Sequence, residues 1–261
     1  MKGQRVTRRC AILFVLAFYS AGSHAQELAR LLQHGDDCFA RQATEEALRY
    51  YDQANTLSPQ NSETLLRLTR TYCDLGWIHL RTDTSAQSYY LRAAAYADTL
   101  LLLNPNSPPA HFWVSLTQGS LIPFHSISEK IHIGKEVRFH AERAIEIDST
   151  FAFAYVILAV FERESSQLSW FERTIARVIF GADIQGSLSH SEELLEKSIQ
   201  FDSSNTYAYY EMYWTLMAMG KKEAAVESLK HVLTLPVKSQ REGRYHLLAQ
   251  NYLARIDSTG E

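Results

Sequence analysis

The sequence predicts an all-α fold, a right-handed α-solenoid of about five helix pairs with lengthened or inserted helices in its middle. Three observations predict it. Only 6 prolines and 11 glycines interrupt 261 residues, so long helical runs are allowed. Leu, Ala, Glu, Arg and Gln, all good helix formers, are plentiful. A short apolar-acidic phrase followed by a turn recurs along the chain, which is the mark of a repeat. At 46% hydrophobic residues the chain can bury a continuous core.

Residues 1–25 read as a leader and residues 26–261 as the helical domain. Lys2, Arg5, Arg8 and Arg9 give a positive start, and Ala11 to Ala21 is apolar and uncharged. Ser23-His24-Ala25 puts small residues where a signal peptidase reads, so cleavage is expected after Ala25. An uncleaved membrane anchor is the competing reading, although the apolar run is short for a bilayer span. Export implies a periplasmic or secreted protein. Removing the leader leaves 22 basic against 29 acidic residues, a net charge of −7. Such a chain is a poor partner for nucleic acid or anionic lipid, and no strong membrane association is expected after cleavage. Cys38 and Cys73 remain, and small buried thiols are expected in preference to a bridge.

The recurring phrases are Ala54 to Pro59, Leu100 to Pro105, Ala144 to Ser149, Ser198 to Ser203 and Val232 to Pro236. Each is expected to end the second helix of a pair, with Asp, Asn, Ser or Pro stopping one helix and capping the next. Gly35, Ala47, Tyr51, Ala54 and Pro59 follow one another at the spacing of a tetratricopeptide repeat, which the first unit resembles over its whole length. The last unit resembles it too, with Gly220 as the inter-helix turn and Ala225 and Leu229 on the second helix. Between them the pattern stretches over Tyr72 to Ala93, Gln118 to Val137 and Glu162 to Ser191. In such arrays each pair leaves an apolar face that only its neighbour covers.

A narrower likeness runs from about Ala110 to Ile256. Its residues are His111 and Trp113, Gly134, the run His140 to Ala144, Leu168-Ser169-Trp170, Arg173, Ile175-Ala176 and Phe180-Gly181. Glu192-Glu193, Lys197 and Phe201-Asp202 complete it. This stretch resembles the regulator of microtubule dynamics family of tetratricopeptide-like proteins. The chain departs from that family at Ala182 to Gly186, where the family commonly has prolines. The resemblance implies a fold and a binding role, not a substrate.

No catalytic constellation is present. The chain lacks G-x-S-x-G, G-x-G-x-x-G, a phosphate-binding loop and H-E-x-x-H. We therefore expect no enzyme, no catalytic residue, no metal and no cofactor. His125, His132 and His140 form the one candidate metal cluster, against an ordinary reading as packed or capping residues. Ser169 to Gly181 is amphipathic, and packing on the solenoid is expected in preference to lying on a membrane.

The first helix of each pair lines the concave wall in tetratricopeptide arrays. The repeat register then turns inward Leu32, Asp36, Phe39, Leu66, Arg70, Asp74, Phe112, Leu116, Phe153, Arg163, Tyr207, Tyr210 and Trp214. The candidate binding residues are Arg70, Asp74, Phe112, Phe153, Arg163, Tyr207, Tyr210 and Trp214. Aromatics with a few Arg suit an extended peptide or a partner helix. A protein or peptide partner is the leading expectation. The alternative is a small-solute-binding accessory subunit of an envelope transporter.

Overall fold

The computed structural model describes residues 23–79, 85–180 and 185–259. The basic and apolar parts of the expected leader, Gly181, and Ala182 to Ile184 of the stretch that departs from the family lie outside the described residues. Among those described there are helices and no strand. They are α1 (residues 23–40), α2 (Thr44–Leu57), α3 (Ser62–His79), α4 (Ala86–Leu103), α5 (Pro108–Leu121) and α6 (Ile127–Ile147). There follow α7 (Ala152–Ser166), α8 (Trp170–Phe180), α9 (Leu188–Phe201), α10 (Thr206–Ala218), α11 (Lys222–Thr234) and α12 (Gln240–Thr259). A 3-10 turn, Ile122–Phe124, links α5 to α6. The first residues of α1 span the expected cleavage point at Ala25.

Five helix pairs form the solenoid: α3–α4, α5–α6, α7–α9 and α10–α11, and α1–α2, joined by the contacts of Tyr51 with Gly35 and Asp36. The stretched middle resolves into long helices and an insertion. Helices α3 and α4 have 18 residues each, α6 has 21, and α8 lies between the partners of the fourth pair. Every recurring phrase ends a second helix, at Leu57, Leu103, Ile147, Phe201 and Thr234. Several of the turns also cap the next helix. Asn61, Ser107 and Asn205 side chains accept from the N–H groups of Thr64, Ala110 and Ala208, which satisfies donors that the first helical turn leaves unpaired.

The second helices share one packing rule. Residues at i, i+4 and i+7 form a buried stripe in each: Ala47, Tyr51, Ala54; Ala86, Tyr90, Ala93; Val137, Ala141, Ala144; Ser191, Leu195, Ser198; Ala225, Leu229, Val232. These positions stand above one another on a helix face, so each stripe meets its own first helix. Gly35 makes room for the Tyr51 ring, and Gly76 does the same for Tyr90, where a methyl group would come within 2.7 Å of the ring. Gly220 has another task. Its φ of +76° reverses the chain after α10, while the N–H groups of Gly220 and Lys221 donate to Met217 O and Leu216 O.

Two apolar clusters make up most of the core, one on the first three pairs and one on α7, α9, α10, α11 and α12. Trp77, Leu158 and Tyr207 touch both and join them. Cys38 and Cys73 are buried free thiols. Helix α8 rests on α6 and buries Ala176, so it packs on the solenoid as expected. It nevertheless leaves Trp170, Phe171 and Val178 exposed. Among the described residues no helix is long and apolar enough to cross a membrane.

A Gly→Ala change inside a helix ordinarily stabilises by about 1 kcal/mol. At Gly76 the added methyl meets the buried Tyr90 ring, so Gly76→Ala is expected to destabilise by about 1–3 kcal/mol. Gly35→Ala, against Tyr51, should behave alike. Urea unfolding reads the sign directly. A raised midpoint in either variant contradicts the packing described.

Candidate partner-binding pocket

The first helices of the pairs face a common concave wall. Residues of α1, α3, α5, α7 and α10 line a pocket of about 690 Å3, and α12 with the loop before it supplies the remaining side. Nine residues that the repeat register turned inward meet there: Asp36, Phe39, Leu66, Arg70, Asp74, Phe112, Leu116, Phe153 and Tyr207. One wall is aromatic. Phe112 lies 5.0 Å from Trp113, 5.8 Å from Phe151 and 5.5 Å from Phe153, between ring centroids. Phe153 keeps 39% of its surface exposed, so the wall is open to a ligand.

The other expected residues lie elsewhere. Arg163 and Trp214 line a separate cleft with Glu164, Gln167 and Met217. Arg163 is buried and bound, 2.8 Å from the Glu211 carboxylate and donating to Glu211 O at 3.2 Å. Burial pushes the Glu211 carboxyl up against the pull of Arg163. Tyr210 is buried behind the pocket, 4.6 Å from Tyr245. Leu32 belongs to the core of the first pairs.

Polar groups cluster at the α1–α3 side. Arg67 grips Asp36 with Nε at 2.9 and 3.0 Å and Nη2 at 2.8 Å, and the Tyr51 hydroxyl donates to the same carboxylate at 2.7 Å. Although burial opposes it, these donors hold the Asp36 carboxyl below its ordinary range. Arg70 lies beside this pair, its guanidinium 3.8 Å over the Phe39 ring.

Helix α12 closes the structure in a way the repeat pattern did not foretell. Arg241 Nε stands 2.7 Å from Asp74 Oδ1, and its Nη2 donates to Cys73 O at 2.8 Å. Arg244 Nη1 donates to Ile78 O at 2.8 Å, satisfying a carbonyl at the C-terminal end of α3. Both guanidinium groups approach the Trp77 ring, at 5.8 and 5.5 Å. Tyr245 fills the seam, with ring centroids 4.7 Å from Trp77 and 6.1 Å from Tyr207. Burial pushes the Asp74 carboxyl up while Arg241 pulls it down. A sequence signal did exist in Arg241, Arg244, Tyr245, Leu248 and Tyr252, which recur at helical spacing after the last repeat phrase.

The three histidines considered for a metal do not converge. His125 and His132 share one shallow cleft. His140 pairs instead with His111, Nδ1 to Nδ1 at 2.9 Å, while His111 Nε2 meets Pro105 O at 3.0 Å. Burial lowers the pKa of both rings, and the nearby His111 lowers that of His140 further. Among the described residues no group of three or more His, Cys, Asp or Glu is placed to hold a metal ion.

Removing one member of the clasp leaves a buried charge alone. Asp74→Ala is therefore expected to lower the unfolding free energy by about 3–5 kcal/mol, and Asp74→Leu with Arg241→Met to recover most of that loss. Urea titrations of the three proteins check this. A cost under about 1 kcal/mol, typical of an exposed pair, contradicts a buried clasp.

The chain resembles known proteins along most of its length. Residues 31–257 match the family described as Regulator of microtubule dynamics protein 1-3. Regulator of microtubule dynamics protein 1 of Bos taurus is 23% identical over 209 residues, which cover 78% of this chain and 65% of that protein. Regulator of microtubule dynamics protein 3 of Bos taurus is 25% identical over 234 residues, covering 87% of this chain and 49% of that protein. The chain thus spans between about half and two thirds of these relatives. A thermophilic TPR protein of Thermus thermophilus has a similar structure, with a TM-score of 0.63 at 14% identity. That likeness covers 87% of this chain and 99% of the other, and shows the tetratricopeptide-like fold. The match over residues 31–257 shows that the chain belongs to the regulator of microtubule dynamics protein 1-3 family.

Proposed function

We propose that this protein is an exported, non-catalytic scaffold that holds a segment of another protein in the pocket lined by its first helices and closed by α12. The carrying observation is the convergence of side chains from α1, α3, α5, α7 and α10 on one pocket with an open aromatic wall. Aromatic side chains offer contact area at low entropic cost, and a concave helical wall receives extended or helical segments. Arg70, Phe112, Phe153 and Tyr207 are the proposed contact residues, while Asp74, buried against Arg241, is assigned to the rim that closes the pocket. Arg163, Tyr210 and Trp214 are assigned to the support of that wall or to the neighbouring cleft. The relatives' names concern microtubule dynamics. The basic and apolar start of this chain favours a partner met after export instead.

Photo-cross-linking in the producing cell tests this. A benzophenone amino acid replacing Phe153 is expected to give a discrete protein adduct, lost when Arg70→Glu and Phe112→Ala are added. The same label at Glu193, exposed on α9, serves as the control. Mass spectrometry of the recovered chain should find Gln26 at its N-terminus. A recovered chain that begins at Met1 contradicts cleavage of a leader. Absence of an adduct, together with stabilisation by a small metabolite in a thermal-shift screen, overturns the scaffold reading in favour of a solute-binding protein.

A further inference from the structure

In the third pair two imidazole rings meet nitrogen to nitrogen. His111 of α5 is buried, and its Nδ1 stands 2.9 Å from Nδ1 of His140 on α6. Its other nitrogen, Nε2, lies 3.0 Å from Pro105 O in the turn before α5. A carbonyl only accepts, so His111 Nε2 carries a proton and His111 Nδ1 is bare. The proton between the rings therefore belongs to His140 Nδ1. One chain of donors, from His140 to His111 to Pro105 O, ties α6, α5 and the α4–α5 turn together.

A first added proton goes to His140 Nε2 and leaves both hydrogen bonds whole. A second has to enter at His111 Nδ1, where the bridging proton already stands. Two N–H groups on charged rings then face each other across 2.9 Å, and the link breaks. Glu136 and Arg143 of α6 are the charged groups that act on the pair. Glu136 favours charge on His140, and Arg143 opposes it on His111. Arg143 is itself paired with Glu146 at 2.9 Å. Helix α5 and the turn from Asn104 to Ser107 carry no Asp, Glu, Lys or Arg. Among the described residues no charge of α3, α4 or α7 acts on either ring. Phe139 adds an apolar ring 5.1 Å from that of His140.

Burial holds both rings below the ordinary histidine value. As pH falls, the unfolded chain thus takes up these protons before the folded one. The link contributes fully above about pH 6.5, the unfolded value, and its contribution is lost as pH drops from there toward the lowered folded values.

We infer that His111 and His140 form a proton-operated latch, which fixes the aromatic wall of the pocket at neutral pH and releases it in acid. His111 directly precedes Phe112, and Pro109, Phe112 and Trp113 line the pocket from the first turns of α5. Further along, Ser115 Oγ donates to Val137 O at 2.7 Å and holds α5 to α6 without a titrating group. Acid frees the start of α5 and leaves its end in place. The inference does not depend on what the pocket holds.

The test is a pH series on the full chain with isotope-labelled histidine, read by ring-nitrogen shifts and by amide hydrogen exchange. At neutral pH His111 is expected as the Nε2–H tautomer and His140 as the Nδ1–H tautomer. On acidification His140 should take its proton first, and His111 at least about one pH unit lower, because a like charge opposes it. Exchange at Phe112 and Trp113, corrected for its intrinsic rate, should then rise about tenfold per pH unit, as for an opening coupled to one proton. Exchange at Gln118 and Gly119 should not follow. His140→Gln keeps a donor for His111 Nδ1 and removes the second charge, so the His111 midpoint moves up toward its ordinary value. His111→Gln removes the acid step at Phe112 and Trp113. Unchanged thermal midpoints at neutral pH show that the variants are folded, and the His111 midpoint in wild type and His140→Gln decides the matter even if His111→Gln fails to fold. A His111 midpoint equal in those two proteins overturns the latch. So does exchange that rises alike along the whole of α5.

Discussion

Two ends of a repeat array are ordinarily free, and here the second end is folded back onto the second repeat. The contact is small and largely dry. Asp74 and Arg241 pair 2.7 Å apart, Arg244 caps α3, and Tyr245 lies between Trp77 and Tyr207. It links residues more than 160 positions apart in sequence. Without it, the wall made by the first helices remains an open curve, and Lys238, Arg241 and Tyr245 no longer bound the pocket. A buried ion pair of this kind adds little net stability, since desolvation offsets much of the attraction. What it does supply is a single closed arrangement, because any other register leaves a charge buried alone.

Much of the fold was legible in the sequence because repeats write local rules. Each recurring phrase ended a helix: Asp148 and Asp202 accept from the turns that follow, and Asn61, Ser107 and Asn205 just beyond their phrases cap the next helices. Gly35 and Tyr51 stood at family spacing, and their contact followed. The matching contact of Gly76 with Tyr90 went unread, because the spacing is 14 residues in place of 16. The clearer signal was the small-large-small stripe Ala86, Tyr90, Ala93, which copies Ala47, Tyr51, Ala54.

The site was legible in part for the same reason. Register along a first helix tells which face is concave, so Arg70, Asp74, Phe112, Phe153 and Tyr207 reached one pocket. Register does not tell how far along the axis a neighbour stands. Arg163 and Trp214 share the face and end in another cleft, beside Glu211. The helical spacing of Arg241, Arg244, Tyr245, Leu248 and Tyr252 marks an apolar-basic face on α12, but not the helix that it meets. That meeting depends on the summed rotation of the pairs between α3 and α12, and no local pattern encodes that sum. The pocket therefore joins two kinds of information, a wall set by local repeats and a rim set by the curvature of the whole.

The central claim is that α12 holds the solenoid closed on α3. Pulsed electron resonance between spin labels at Glu45 on α2 and Asn251 on α12, both exposed, measures it most directly. A closed solenoid gives one narrow distance distribution, which broadens and lengthens when Arg241→Ala and Tyr245→Ala are introduced. A broad distribution in the otherwise unaltered chain, or one that the two substitutions leave unchanged, contradicts it.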